Sequence, residues 1–161
     1  MTVLQEFTDT KWNDLWSILK PIFQAGETYP YPQNITKDEA YKIWITNKHK
    51  VYVSQINNEI TGSYYIKPNQ PGLGSHVCNC GYVVSKKHRG KGIATQMCLH
   101  SQKTARDLGY KAIQFNLVVS TNKAALHLWK KLGFSIIGSL PLAFKSKNVD
   151  YVDAYVMYLT L

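Results

Sequence analysis

Residues 76–109 read HVCNCGYVVSKKHRGKGIATQMCLHSQKTARDLG, and this stretch decides the fold. Its opening, 76–84, is a short apolar-leaning run bounded by polar residues, the pattern of a buried strand. Lys86, Lys87 and His88 then lead into the spacing Arg89-Gly90-Lys91-Gly92-Ile93-Ala94. Ile93, Met97, Ser101, Ala105 and Leu108 recur at helical spacing until Gly109 supplies a stop. The predicted order is strand, basic glycine-rich turn, helix. The first turn of a helix presents unpaired N–H donors and the positive end of a dipole, and so attracts anions. Gly90 and Gly92 have no side chain to hold a phosphate away, while Arg89 and Lys91 add charge. The chemistry is that of a site for a phosphorylated ligand.

The spacing is neither the P-loop nor Gly-x-Gly-x-x-Gly, since Gly90 and Gly92 are followed by Gln96 and Met97. It resembles the acetyl-CoA loop of the GCN5-related N-acetyltransferases, Arg/Gln-x-x-Gly-x-Gly/Ala, through Arg89, Gly92 and Ala94. A second segment agrees with it. Asn122, Ala125, Leu128, Trp129, Gly133 and Phe134 resemble the family's Asn-x-x-Ala-x-x-Leu-Tyr-x-x-x-Gly-Phe element, at the expected distance downstream. The likeness covers residues 50–161 well and the first fifty more loosely. It implies an α/β fold in one domain, 1–161, with a mixed central sheet of about seven strands, splayed in the middle, and helices on both faces. It also implies acetyl-CoA as acetyl donor, lying in the splay, with no metal. By this resemblance Tyr82, Val83 and Val84 bind the pantetheine arm, and Arg89, Gly90, Lys91, Gly92, Ile93 and Ala94 bind the pyrophosphate, mostly through backbone. Trp129 lies on the cofactor side. Asn122 matches the family's cofactor-side asparagine, and it is equally placed to cap the last helix.

The acid–base residues depart from the family. Many members carry a glutamate on the central strand as general base, but 76–84 contains no carboxylate. Many use a tyrosine before the Gly-Phe to reprotonate the CoA thiolate, and Trp129 stands there instead. An indole N–H donates a hydrogen bond but is no proton reservoir. Asn79 on the central strand and Asn116 on the next are amides in otherwise apolar runs, costly there unless paired. They serve either as a structural pair or as functional groups. Asn79, the run Phe115 to Val118, Asn122, and Leu128 with Trp129 resemble the fungal acetyltransferases of azetidine-2-carboxylate and proline analogues and their bacterial relatives. In that group asparagines line the reaction centre. Carried over, Asn79 and Asn116 orient the acceptor, and Asn122 stabilises the thioester oxygen or the leaving sulfur. The loop Gly26 to Pro32, with Glu27, Tyr29 and Tyr31, resembles the group's acceptor-side loop. A turn packed on the core is the ordinary alternative. His76 is a further candidate base, and His88 a candidate cofactor contact. His49, His100 and His127 read as surface residues.

Composition narrows the partners. The chain has 161 residues, 45% of them hydrophobic, enough for one core. Nineteen basic residues against ten acidic leave a formal charge of +9, which calls for an anionic partner. The basic residues are dispersed apart from the cluster at 86–91, so a polyanionic cofactor ranks above nucleic acid. Cys78, Cys80 and Cys98 form no disulfide framework, and His76-x-Cys78-x-Cys80 lacks the spacing and fourth ligand of structural zinc. No signal peptide or membrane span is visible, so a cytoplasmic protein is expected, with a homodimer compatible with the resemblance.

Elsewhere the periodicity predicts a strand at 2–7, then a helix from about residue 9 that Pro21 ends or kinks. Residues 24–33 read as a loop. Thr36 and Glu39 form a capping box for a second helix with the stripe Ala40, Ile43, Trp44 and Asn47. Strands at 50–56 and 60–67 flank a turn, Asn57-Asn58-Glu59. A strand at 112–119 and a helix around Ala125 to Leu132 follow. Two last strands, 134–140 and 152–161, are joined by the linker PLAFKSKNVD. The expected activity is transfer of acetyl to a small-molecule amine, an amino acid or its analogue. The rivals are acetylation of a protein N-terminus or lysine, and a CoA-binding sensor without catalysis.

Overall fold

The structure, a computed structural model, describes residues 2–46 and 48–161. Strand β1 (Val3–Glu6) passes through a 3-10 turn into helix α1 (Trp12–Ala25), which buries Leu15, Ile18, Leu19, Ile22 and Phe23. Of the two outcomes expected at Pro21, an end or a kink, the end does not occur. A mid-helix proline costs about 3 kcal/mol, but Ile22 and Phe23 beyond it are buried, each stabilising by about 1.5–3 kcal/mol. Burial wins, and the helix runs to Gly26, which closes it at φ 63° by donating to the Phe23 carbonyl. Residues 24 and 25, expected in the loop, are therefore helical.

Helix α2 (Lys37–Trp44) starts from the predicted capping box. The Glu39 N–H donates to the Thr36 hydroxyl, and the Thr36 N–H donates to the Glu39 carboxylate. Asn47, assigned to the same stripe, lies outside the described residues. Strands β2 (Lys50–Ile56) and β3 (Glu59–Pro68) form a hairpin about Asn57 and Asn58, at φ 50° and 64°. A two-residue turn of this kind needs positive φ at both positions. Glu59 belongs to β3, paired with Ile56, and not to the turn.

Next come β4 (Val77–Val84), α3 (Ile93–Asp107), β5 (Ala112–Val119), α4 (Lys123–Lys131), β6 (Ser135–Ser146) and β7 (Asp150–Thr160). The seven strands form one sheet in the order β1-β2-β3-β4-β5-β7-β6, in which only the β4–β5 pair is parallel. One layer of core, from α1 and α2, takes Val83 of β4; the opposite layer, from α3 and α4, takes Cys78 and Cys80. The sequence reading misplaced the end of β6. PLAFKSKNVD is mostly strand, pairing Phe144 with Val152 and Ser146 with Asp150, so the true turn is residues 147–149. A register shift between Leu140 and Phe144 absorbs the irregular stretch around Pro141, and the Leu142 N–H finds the Asp153 carboxylate at 2.9 Å.

The feature that creates a site is the short β4–β5 ladder. These strands pair only at Val77↔Ala112 and Cys78↔Ile113, then diverge. Beyond that point the sheet is open in its middle.

Candidate active site

Strand β4 meets β3 through the N–H and C=O groups of its odd-numbered residues. The Asn69 N–H donates to Val77, the Ser85 N–H to Thr61, and the register between them is unbroken. Alternation in an antiparallel ladder then turns the backbone groups of Cys80, Tyr82 and Val84 toward β5, where no partner strand remains. These groups have no strand partner, and apart from the Tyr82 carbonyl, which accepts from the Tyr29 hydroxyl, they are open to an extended, amide-bearing ligand. Tyr82 and Val84 thus present backbone to the gap. Val83 lines the cleft but directs its backbone to Ser63 and its side chain into the core.

The cleft occupies about 930 Å³ and runs from the 26–31 loop, through the splay, to the start of α3. At that end Gly90 and Gly92 hold φ 75° and 76°, and Gly92 is the N-cap of α3 without any side-chain cap. A Cβ on either would meet nothing within 4 Å, so these glycines answer to backbone conformation and ligand approach, not to crowding. The N–H groups at the start of α3, from Ile93, Ala94 and Thr95, are left open by helix geometry, and no acidic residue stands in the first turn. Arg89, Gly90, Gly92, Ile93 and Ala94 line the cleft; Lys91 is exposed beside it. His88 lines it as well, with a buried Nδ1 that has no partner among the described residues.

An aromatic cluster fixes the α4 wall. Trp129 lies 5.0 Å from the Tyr82 ring and 5.2 Å from Phe115, which stacks on Phe134 at 4.2 Å. The Tyr82 hydroxyl is hydrogen-bonded to Ser101 at 2.7 Å, and burial pushes its pKa well up. With its hydroxyl paired and its pKa raised, the Tyr82 phenol is a poor acid, and it is the Tyr82 backbone that faces the gap.

The three asparagines occupy distinct positions. Asn79 is buried one residue past the last β4–β5 rung; its amide donates to the Gln114 carbonyl at 2.9 Å and accepts from the Tyr65 hydroxyl at 3.2 Å. It bridges the strands where their ladder stops. Asn116 is exposed, contrary to the expectation of a buried amide. It sits in a β5 bulge, where Asn116 and Leu117 together oppose Val156, and it bonds Asn69 and Gln114 through side chains. A bulge re-aims side chains, and this one brings both residues to the cleft. Asn122 caps α4, accepting from the Ala125 N–H at 3.2 Å. Its carbonyl oxygen is used, and its NH₂ remains available to the cleft it lines.

At the end of the cleft away from α3, Tyr29 and Tyr31 stack at 5.5 Å, both edge-on to Phe23. The Tyr29 hydroxyl donates to the Tyr82 carbonyl at 2.8 Å. Glu27 lines the cleft and accepts from the Asn148 amide. Sequence reasoning missed Tyr65, Gly81 and Lys67 on this wall. The Tyr65 ring lies over Gly81, where a Cβ would come within 2.5 Å of it. Only the β3–β4 register, Tyr65↔Gly81 and Lys67↔Asn79, brings them to the site. His76 is exposed and bonded to the Leu73 carbonyl, away from the cleft lining. His100 is not a plain surface residue, for its Nδ1 meets the Tyr64 hydroxyl at 2.6 Å. No cluster of metal-ligating side chains occurs among the described residues, and no described helix is long and apolar enough to cross a membrane.

A sheet splayed beside a glycine-rich helix start defines an acetyl-CoA-dependent N-acetyltransferase, and the chain belongs to the acetyltransferase (GNAT) family, whose pattern matches residues 12–134. A GCN5-related N-acetyltransferase structure from Kribbella flavida is 34% identical with a TM-score of 0.94, covering 99% of this chain and 98% of that one. N-acetyltransferase aca1 of Schizosaccharomyces pombe is 33% identical over 150 residues, 83% of this chain and 72% of that protein. The L-amino acid N-acetyltransferase AaaT of Escherichia coli is 28% identical over 109 residues, 67% of this chain and 66% of that protein.

Proposed function

We propose that the chain, as one catalytic domain over 1–161, acetylates a small free amine, with amino acids and their analogues as acceptors, in the manner of the azetidine-2-carboxylate and proline-analogue group. The observation that carries this reading is the confined acceptor end. Tyr29 and Tyr31, on either side of Pro30 in sequence, stack on each other, and the Tyr29 hydroxyl ties their loop to β4 at Tyr82, so this end of the cleft has a fixed aromatic wall that suits a small molecule. The similarity to an L-amino acid N-acetyltransferase supports the same acceptor class.

In this reading the acetyl-CoA pantetheine lies along Tyr82 and Val84, and its pyrophosphate on residues 89–94. The amine nitrogen attacks the thioester carbon, the carbonyl oxygen gains the negative charge, and collapse expels the CoA thiolate while the amine's proton leaves to solvent. The Asn122 NH₂ stabilises the oxygen or the departing sulfur. Asn79 and Asn116, with Glu27, Tyr29 and Tyr31, orient the amine. An amide takes up no proton at neutral pH, so the amine arrives already neutral, and rate comes from positioning. The three buried free cysteines suit a reducing cytoplasm. A homodimer would meet through the open β6 edge, where Ile137, Leu140 and Leu142 are exposed.

The test is kinetic, on variants first shown to be folded. Asn122→Ala lowers kcat more than it weakens CoA binding, whereas Asn79→Ala and Asn116→Ala chiefly raise KM for the amine. Near-normal constants in all three would make the asparagines structural. Faster turnover of peptides than of free amines would overturn the acceptor class.

A further inference from the structure

Resting on that small-amine reading, we propose that Lys67, backed by Lys48, binds a carboxylate of the acceptor, so that the enzyme selects amines carrying a free carboxylate close to the nitrogen. Lys67 lies directly across from Asn79 in the β3–β4 register and therefore on the same face of the sheet, and both line the cleft. The Lys48 ammonium sits 4.7 Å over the Tyr65 ring, whose hydroxyl donates to Asn79. Two cations thus flank one Asn79–Tyr65 pair.

Neither lysine has a carboxylate partner among the described residues; the ion pairs there use Lys50, Lys87 and Lys103. Burial first, and the Lys67 charge second, push the Lys48 ammonium down to about 8. Like charges half-buried together disfavour each other, and an anion between them removes that penalty. The cleft lining contains a single carboxylate among the described residues, Glu27, which is held by Asn148.

The phosphates of CoA are not that anion. From Asn79 to Val84 the strand advances by five residues, about 17 Å, and the glycine-rich turn begins beyond it. The cleft therefore has two separate cationic ends, one for pyrophosphate and one for an acceptor carboxylate, with the splay between them.

The experiment compares L-alanine with L-alaninamide, and L-proline with L-prolinamide, in the wild-type chain, Lys67→Gln and Lys67→Arg. The amide's amine is less basic, so the quantity read is the change in the acid-to-amide ratio of kcat/KM between proteins. The proposal expects that ratio to fall about 10-fold or more in Lys67→Gln, the size of one charge-assisted contact, mainly through KM for the acid. Lys67→Arg should keep most of it. CoA titration of Lys67→Gln checks that the cofactor half is intact. If the amines react and the ratio is the same in all three proteins, the carboxylate site is overturned while the small-amine reading stands. If neither acid nor amide reacts in a wild-type chain that binds acetyl-CoA, both fall.

Discussion

The Tyr29 phenol donates a 2.8 Å hydrogen bond to the Tyr82 carbonyl, across 53 residues of sequence. That carbonyl belongs to one of the β4 residues whose backbone the splay leaves unpaired. The 26–31 loop is thereby fastened to the strand that lines the splay. Tyr29→Phe removes the donor and leaves a part-buried carbonyl open, which costs about 1–3 kcal/mol. The expected result is an unfolding free energy from urea melts lower by that amount and a raised KM for the amine. Unchanged stability together with unchanged KM would show that the contact carries neither role.

Gly92→Glu tests the cofactor end. Gly92 caps α3 at φ 76°, where an L side chain is strained by about 1–2 kcal/mol. Glutamate also places negative charge where the pyrophosphate should lie. Calorimetric titration should show CoA binding lost while the circular dichroism spectrum persists. Micromolar CoA affinity in the folded variant would contradict the placement.

Trp129 stands at the tyrosine position of the Asn-x-x-Ala-x-x-Leu-Tyr-x-x-x-Gly-Phe element, and it is packed among Tyr82, Phe115 and Phe134. Trp129→Phe should keep most of the turnover, because the indole supplies shape and not a titrating proton. A loss in kcat of about 100-fold or more at unchanged stability, the size of a lost acid–base group, would contradict this.

How much of this was legible beforehand depended on the range of the interactions involved. The strand, glycine turn and helix of residues 76–109 were readable because backbone conformation and helix periodicity are local. So was the Thr36–Glu39 capping box, which closes over three residues. Pro21 offers an end or a kink, and the choice against an end is not local: the penalty is outweighed by burial of Ile22 and Phe23, a tertiary effect. The linker assigned to 141–150 failed because Pro141 and Leu142 break the alternation, while cross-strand pairing with β7 restores the strand beyond them. Asn79 and Asn116 were noticed as amides out of place, but their partners, Gln114, Tyr65 and Asn69, come from other strands and loops. Lys67 carried no signal of its own. Its meaning depends on facing Asn79, and that register is set by the 69–76 connection, which has no readable pattern.

The buried phenols predict how stability depends on pH. Burial raises Tyr29, Tyr64, Tyr65 and Tyr82, and pushes Tyr31 up to about 12. The folded chain keeps protons that the unfolded chain releases near pH ~10, so this contribution is complete below ~10 and is lost as pH rises above it. Each such phenol costs up to about 1.4 kcal/mol per pH unit in that window. Between about pH 8 and 10 the depressed Lys48 adds stability as pH rises while the raised Cys80 and Cys98 remove it, and above ~10 the phenols dominate, so urea midpoints should fall steeply there. A flat profile to pH 11 would show that the phenols are hydrated.

The central claim is that acetyl transfer in the splay relies on positioning and needs no proton-accepting side chain. The most direct measurement is the pH profile of kcat/KM, read as CoA thiol release, for a series of carboxylate-free amines of graded basicity. The account predicts that the ascending limb moves with each amine's own pKa, because the neutral amine is the species that reacts. One inflection shared by every amine would contradict it, because it would report a titrating group of the enzyme and not of the acceptor.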